Sequence, residues 1–300
     1  MQRNTILYCV LIYVLICTDI NDGTHFLGGT ITYKVLNTSG SIVSIVLTQT
    51  YIYDYTKITC TNSMIANQTP KLSFNPPYRE NSDRVNCTQY CNQSGGYVPS
   101  SVVSYCTDYS TALGITVGQR SDVINITNGS YFLVAYQSSS WRQLTLPITS
   151  GSLNTTWSIS CLINLQMRPD GSYNNPPAAT IISPIYIPVG IPQNIFIPTI
   201  DADNDNVRCR FSNGTNECGS TCPPASLPNG TTLFSNCTLI ITGAKVNDWY
   251  AIAIQVSEMC SYWFDQQKYI DGFYQTVHLG NDYKLYSNSY RNQYSISSIL

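Results

Sequence analysis

Residues 42–53 read Ile-Val-Ser-Ile-Val-Leu-Thr-Gln-Thr-Tyr-Ile-Tyr. Successive side chains of an extended chain point to opposite faces, so this spacing puts Val43, Ile45, Leu47, Tyr51 and Tyr53 on one side, the expected core face of a strand. The same kind of reading predicts strands over 30–35, 102–107, 131–136, 143–148 and 157–166. No helix of ordinary length competes with them. Gly, Pro, Asn and Ser cluster over 62–100, which predicts loops there, tied down by the cysteines they contain. The predicted fold class is therefore all-β, with a β-sandwich domain over residues 25–168.

A boundary follows at Arg168-Pro169-Asp170-Gly171-Ser172-Tyr173-Asn174-Asn175-Pro176-Pro177. Turn signals and a double proline cannot continue as a central strand, so 169–177 reads as an interdomain linker. Alternation resumes over 185–188, 193–198, 207–212, 237–241 and 250–256. In the last of these Tyr250, Ile252, Ile254 and Val256 share one face. Residues 178–257 thus suit a second, small antiparallel sandwich of immunoglobulin-like or cadherin-like architecture, without the Cys…Trp…Cys pattern of a true immunoglobulin domain. Residues 258–300 change character: they hold seven tyrosines, no proline and no glycosylation sequon. Their composition fits an edge hairpin, an extension, or residues outside the second domain.

Charge and cysteine usage place the chain outside the cell. Only 11% of residues are charged, less than half the usual share, and the net charge is −2. With no basic stripe to neutralise phosphates, nucleic acid is excluded as a partner. Arg3 followed by an apolar run over 6–17 reads as a secretory signal peptide, residues 1–24, with an uncleaved anchor as the alternative. The apolar run is too short for a stable span, so no membrane span is expected after cleavage. Sequons start at Asn37, Asn67, Asn86, Asn92, Asn125, Asn128, Asn154, Asn213, Asn229 and Asn236, and several coincide with Asn-Gly turns that expose the side chain. Beyond the leader, the cysteines are Cys60, Cys87, Cys91, Cys106, Cys161, Cys209, Cys218, Cys222, Cys237 and Cys260. In a secreted chain these favour disulfides over zinc, which would want four Cys or His ligands. The pairs expected are Cys209 with Cys237 on neighbouring strands, Cys218 with Cys222, Cys60 with Cys87 and Cys91 with Cys106, leaving Cys161 and Cys260 unpaired.

One polar stretch stands apart. Residues 199–211, Thr-Ile-Asp-Ala-Asp-Asn-Asp-Asn-Val-Arg-Cys-Arg-Phe, hold Asp201, Asp203 and Asp205. Carboxylates this close repel unless water or a cation screens them, so the stretch is either a solvated turn or a calcium site. An EF-hand is ruled out, because Asn206 stands where that loop needs Gly and Ser212 where it needs Glu. Asp170 is the only acid the linker offers to such a site.

The opening His25-Phe26-Leu27-Gly28-Gly29-Thr30-Ile31-Thr32-Tyr33 resembles the start of a family of uncharacterised extracellular proteins of invertebrates. The likeness continues through 105–109, 165–171, 203–210 and 248–256. The second domain also resembles cadherin-like and dystroglycan-like sandwiches, in which Asp-x-Asp follows a short apolar strand; Ser257-Glu258-Met259-Cys260 departs from that pattern. The resemblance implies relatives rather than an activity. A nucleophile–histidine pair would have only His25 and His278, with no nucleophile elbow, and Glu80, Glu217, Glu258 and the aspartates offer carboxylates for glycosidase chemistry with no separation legible in the sequence, so no enzyme is expected and a secreted hydrolase is the weakest reading. The favoured function is an extracellular binding or adhesion scaffold for a protein or glycan. The alternatives are a carbohydrate-binding protein using Trp141, Tyr173 or Trp249, and a structural matrix component.

Overall fold

The computed structural model describes residues 25–70, 83–139, 144–145, 155–180, 183–259 and 276–277. The expected strand over 143–148, His278, Cys260, Trp141 and Asn154 lie wholly or mostly outside these residues. The protein is all-β. Its first sandwich packs two four-stranded antiparallel sheets face to face. One has the order β1 (Phe26–Ser39), β2 (Ile42–Asp54), β6 (Ile115–Thr127), β5 (Tyr105–Ser110); the other has the order β4 (Ser100–Ser101), β3 (Arg84–Gln89), β7 (Tyr131–Ser138), β8 (Trp157–Asn164).

Strand β2 behaves as its alternation dictates: Val43, Ile45, Leu47, Tyr51 and Tyr53 are buried in the core between the sheets. Gln49 falls in phase with them and is fully buried. Its amide donates to Ser101 O at 3.1 Å, and its Oε1 accepts from Tyr51 Oη at 2.7 Å, which removes the cost of a bare polar group in the interior. Phe26 stacks on Trp157 with ring centroids 3.9 Å apart, joining the two sheets. Gly29 is required where they meet, since a Cβ there would lie 2.6 Å from Thr50 O and 3.0 Å from Ile159. The stretch 62–100, expected to be loop, contains a short helix (Asn62–Ala66), β3 and a 3-10 turn (Cys91–Gln93). Its hydrophilic sequence hid β3 because that strand buries only Val85 fully.

The second sandwich faces β10 (Gln193–Phe196), β14 (Thr238–Ile241) and β13 (Thr232–Leu233) against β12 (Asn206–Phe211), β15 (Ile254–Met259) and β16 (Thr276–Val277). A two-stranded pair joins β9 (Ala178–Ala179) to β11 (Thr199–Ile200). Residues 185–188 form no ladder, although Ile185 and Ile187 are core. Nor do residues 250–253 enter one, although both of their faces are packed. Tyr250, Ile252, Ile254 and Val256 fill the second core, while Trp249 and Ala251 fill the first. The carbonyls of Trp249, Ala251 and Ala253 are satisfied singly, by Thr145 N, Ser226 Oγ and Ser212 N.

Cys60 bonds Cys106, Cys87 bonds Cys91, Cys209 bonds Cys237 and Cys218 bonds Cys222. The pairing expected in the first domain, Cys60 with Cys87 and Cys91 with Cys106, is corrected. Cys60 lies against the sheet that contains β5 and Cys106, whereas Cys87 sits on β3 of the facing sheet. Tyr90, at φ 55°, then turns the chain back so that the Cα atoms of Cys87 and Cys91 are 5.7 Å apart. The pairs Cys209–Cys237 and Cys218–Cys222 are those expected, but the first does not join neighbouring strands, since β12 and the residue entering β14 belong to opposite sheets. It crosses the second core. Cys161 is a buried free thiol whose pKa burial pushes well above its ordinary value.

The two sandwiches share a packed seam. The turn Thr215–Cys218 docks on the start of β8: Ser158 Oγ donates to Asn216 O at 2.6 Å and Ser220 N to Thr156 O at 3.0 Å. Gly219, at φ 62°, sits so close that a Cβ would be 2.6 Å from Thr156 O. Gln255 donates to Ser160 Oγ and Ser183 to Leu27 O. Contacts this dense should make unfolding cooperative across the seam. Urea unfolding is expected to show one transition, and Trp249→Ala to destabilise the whole chain by about 3–5 kcal/mol while keeping that single transition. Two separated transitions would show that the sandwiches fold independently.

Candidate functional site

The acidic stretch lies beside this seam. Asp201 follows β11, and its Oδ1 accepts from the backbone N–H groups of Asp203 (2.9 Å) and Asp205 (2.8 Å), so the loop curls around its own first carboxylate. Asn204 takes a left-handed conformation, φ 61°, that permits the curl. Asp203 is directed elsewhere: Asn175 donates to it from both its backbone N (2.7 Å) and its Nδ2 (3.0 Å). Asn175 Oδ1 in turn accepts from Val35 N at 2.9 Å. The proline-rich stretch expected as a linker is thereby pinned between β1 and the acidic loop.

Arg168, from the same stretch, bonds Asp205 directly and lies 3.7 Å from Asp203 and 3.9 Å from Glu258. Glu258 comes from the end of β15, opposite Val207 in the ladder. Its carboxyl is buried, 6% exposed, and neither of its oxygens has a hydrogen-bond partner. Burial first, then the Asp201 carboxyl and the Asp205 charge, push its pKa up to about 10, with Arg168 opposing weakly. One carboxylate oxygen each from Asp201, Asp205 and Glu258 lie within 4.8 Å of one another.

Of the three aspartates singled out from sequence, the fold brings Asp201 and Asp205 together and gives Asp203 a different partner. Asp170 stays outside the cluster. It is exposed and accepts from Ser172 N and Oγ, which holds its pKa below the usual carboxylate value. Glu258 was legible in principle: it continues the two-residue period of Ile252, Ile254 and Val256, a charged residue at a core-facing position. Arg168 carried no such signal.

Other candidates fall differently. His25 is buried and stacked on Tyr53 at 6.0 Å. Trp249 is core and Tyr173 packs against the core, so neither is a free sugar platform. Exposed aromatic surface occurs instead at a cleft of about 200 Å³ between the sandwiches, lined by Gln89, Tyr90, Tyr131, Leu162, Arg210 and Glu217 among others. Tyr90 and Tyr131 have ring centroids 5.4 Å apart, and Arg210 binds Glu217 through two hydrogen bonds of 2.9 and 2.8 Å.

No family model matches the chain, and no curated protein does. Among solved structures, the tandem Ig repeats of Dlar match at 11% identity, covering 85% of this chain and 98% of that one, with a TM-score of 0.24. That overlap is too low to bear on function. Among the described residues, no helix is long and apolar enough to cross a membrane.

Arg168 is the one cation within reach of Asp203, Asp205 and Glu258 among the described ion pairs. Removing it leaves carboxylates of low exposure without compensation. Arg168→Met is expected to cost about 3 kcal/mol by denaturant unfolding in chelator-treated buffer. Asp170→Asn, at the exposed turn, should leave the midpoint unchanged.

Proposed function

We infer that the chain is a secreted, N-glycosylated binding scaffold that presents loops and sheet faces to an extracellular partner. The observation that carries this reading is the placement of its sequons. All but Asn154 are described, and every one of these, at Asn37, Asn67, Asn86, Asn92, Asn125, Asn128, Asn213, Asn229 and Asn236, is solvent-exposed. Asn164 and Asn174, outside any sequon, are buried. Asn125 accepts from Ser44 and Asn236 from Thr238 N through Oδ1, leaving Nδ2, the atom that carries the sugar, out of those bonds, whereas Asn67 and Asn86 donate Nδ2 to Ser63 Oγ and Arg84 O at the exposed surface. Glycans on these positions would supply the solubility that so few charges cannot, and disulfides suit the same oxidising compartment.

A carbohydrate-binding role is favoured by the cleft at Tyr90 and Tyr131. Its aromatic rings beside planar Arg, Glu and Gln side chains match the apolar faces and hydroxyl edges of a sugar. Expression through a secretory host should give a mass that falls on N-glycosidase treatment; an unchanged mass would refute the secreted glycoprotein. The deglycosylated protein on a glycan array should bind a restricted set of sugars, and Tyr90→Ala should remove that binding. An array without signal would leave a protein partner as the scaffold's target.

A further inference from the structure

We propose that a divalent cation of calcium type binds between Asp201, Asp205 and Glu258, fastening the end of β15 to the acidic loop at the seam of the two sandwiches. The first observation is geometric. The three carboxylate oxygens lie within 4.8 Å of one another. Two oxygens held by one calcium ion, each at about 2.3–2.6 Å, are separated by no more than about that distance. The donor set is oxygen alone, with no His or Cys, so it suits a hard ion and not zinc.

The second observation is independent of the loop. Glu258 is brought by a different strand, is more than nine-tenths buried, and has both oxygens without a hydrogen-bond partner; Asp201 Oδ2 is likewise without one. Buried carboxylate oxygens in native proteins are satisfied by donors or by metal. Among the described ion pairs Arg168 is the cation that approaches Glu258; it is already committed to Asp205 and reaches Glu258 only at 3.9 Å. Three carboxyls, those of Asp203, Asp205 and Glu258, thus share one guanidinium, and Asp201 lies beside two of them. A divalent ion supplies the missing charge and the missing partners together.

Asp203 is excluded from the ligand set because Asn175 already satisfies it, which separates this site from a simple acidic turn. Asp201 is preorganised, since its other oxygen is fixed by two backbone amides. Ligands this few, completed by water, place the affinity in the range of about 10⁻⁴–10⁻³ M typical of extracellular modules.

The inference does not depend on the partner of the scaffold, and its test does not use one. The full chain, stripped with chelator, is titrated with calcium chloride by calorimetry while thermal unfolding is followed, then with magnesium chloride. Calcium should give saturable heat and a rising Tm, because a ligand bound only by the folded state stabilises it; magnesium should do so only weakly. Glu258→Gln, which keeps the shape and removes the charge, should weaken calcium binding about tenfold or more while leaving the apo Tm the same or higher. Asp203→Asn should change calcium affinity by less than about threefold. Absence of heat and of a Tm shift at millimolar calcium would overturn the proposal. So would wild-type binding by Glu258→Gln, or an equal loss in both variants, which would assign the ion to the exposed loop.

Discussion

Residues Trp249 to Val256 have no face turned to water, and most of the molecule is arranged around that fact. Alternate side chains enter two cores, Trp249 and Ala251 the first and Tyr250, Ile252, Ile254 and Val256 the second. A strand buried on both sides normally sits inside a sheet, whose ladder satisfies its backbone. Here the first part of the segment has no ladder, so its carbonyls are served one by one from three distant places, Thr145, Ser226 and Ser212. Each of those donors has to be held in position, which ties the loops of both halves to this one run. The seam at β8 follows from the same demand. Ser160 must meet Gln255, and Gly219 must let the backbone of the second half approach Thr156 without a side chain between them.

The low charge content makes each charged group more consequential. Arg120 holds Asp122 through two hydrogen bonds, and Arg210 holds Glu217 in the same bidentate way, both partly exposed and each balanced. The acidic junction is different, since its carboxyls outnumber its guanidinium and one of them is buried. Desolvation disfavours a charged Glu258, and nearby aspartates disfavour it further. A protein that otherwise avoids charge has concentrated an imbalance where its two sandwiches meet.

The disulfides divide by task. Cys209–Cys237 crosses the second core and Cys60–Cys106 closes a long loop against β5, so both limit the unfolded chain. The two bridges between cysteines four residues apart constrain little chain. They shape turns instead: Cys87–Cys91 accompanies the left-handed Tyr90 at the aromatic cleft, and Cys218–Cys222 closes the turn that docks on β8.

The sequence by itself determined the strand faces, because a period of two is a local property: Val43, Ile45 and Leu47 in β2, and Tyr250, Ile252, Ile254 and Val256, point where their spacing says. It also marked the sequons, of which those at Asn128, Asn213 and Asn229 precede a Gly of positive φ and owe their exposure to Asn-Gly chemistry. Tertiary structure alone decided which sheets face each other, and with it that Cys60 meets Cys106 and not Cys87. It decided that Trp249 fills the first core although it lies in the second half of the chain. It decided, too, that Asp203 turns to Asn175 while Glu258, over fifty residues further along, joins Asp201 and Asp205. Periodicity fixes the direction of a side chain relative to its own strand. It carries no information about which strand of which sheet stands opposite, and convergence of charged groups from separate strands exists only once the two sandwiches are packed.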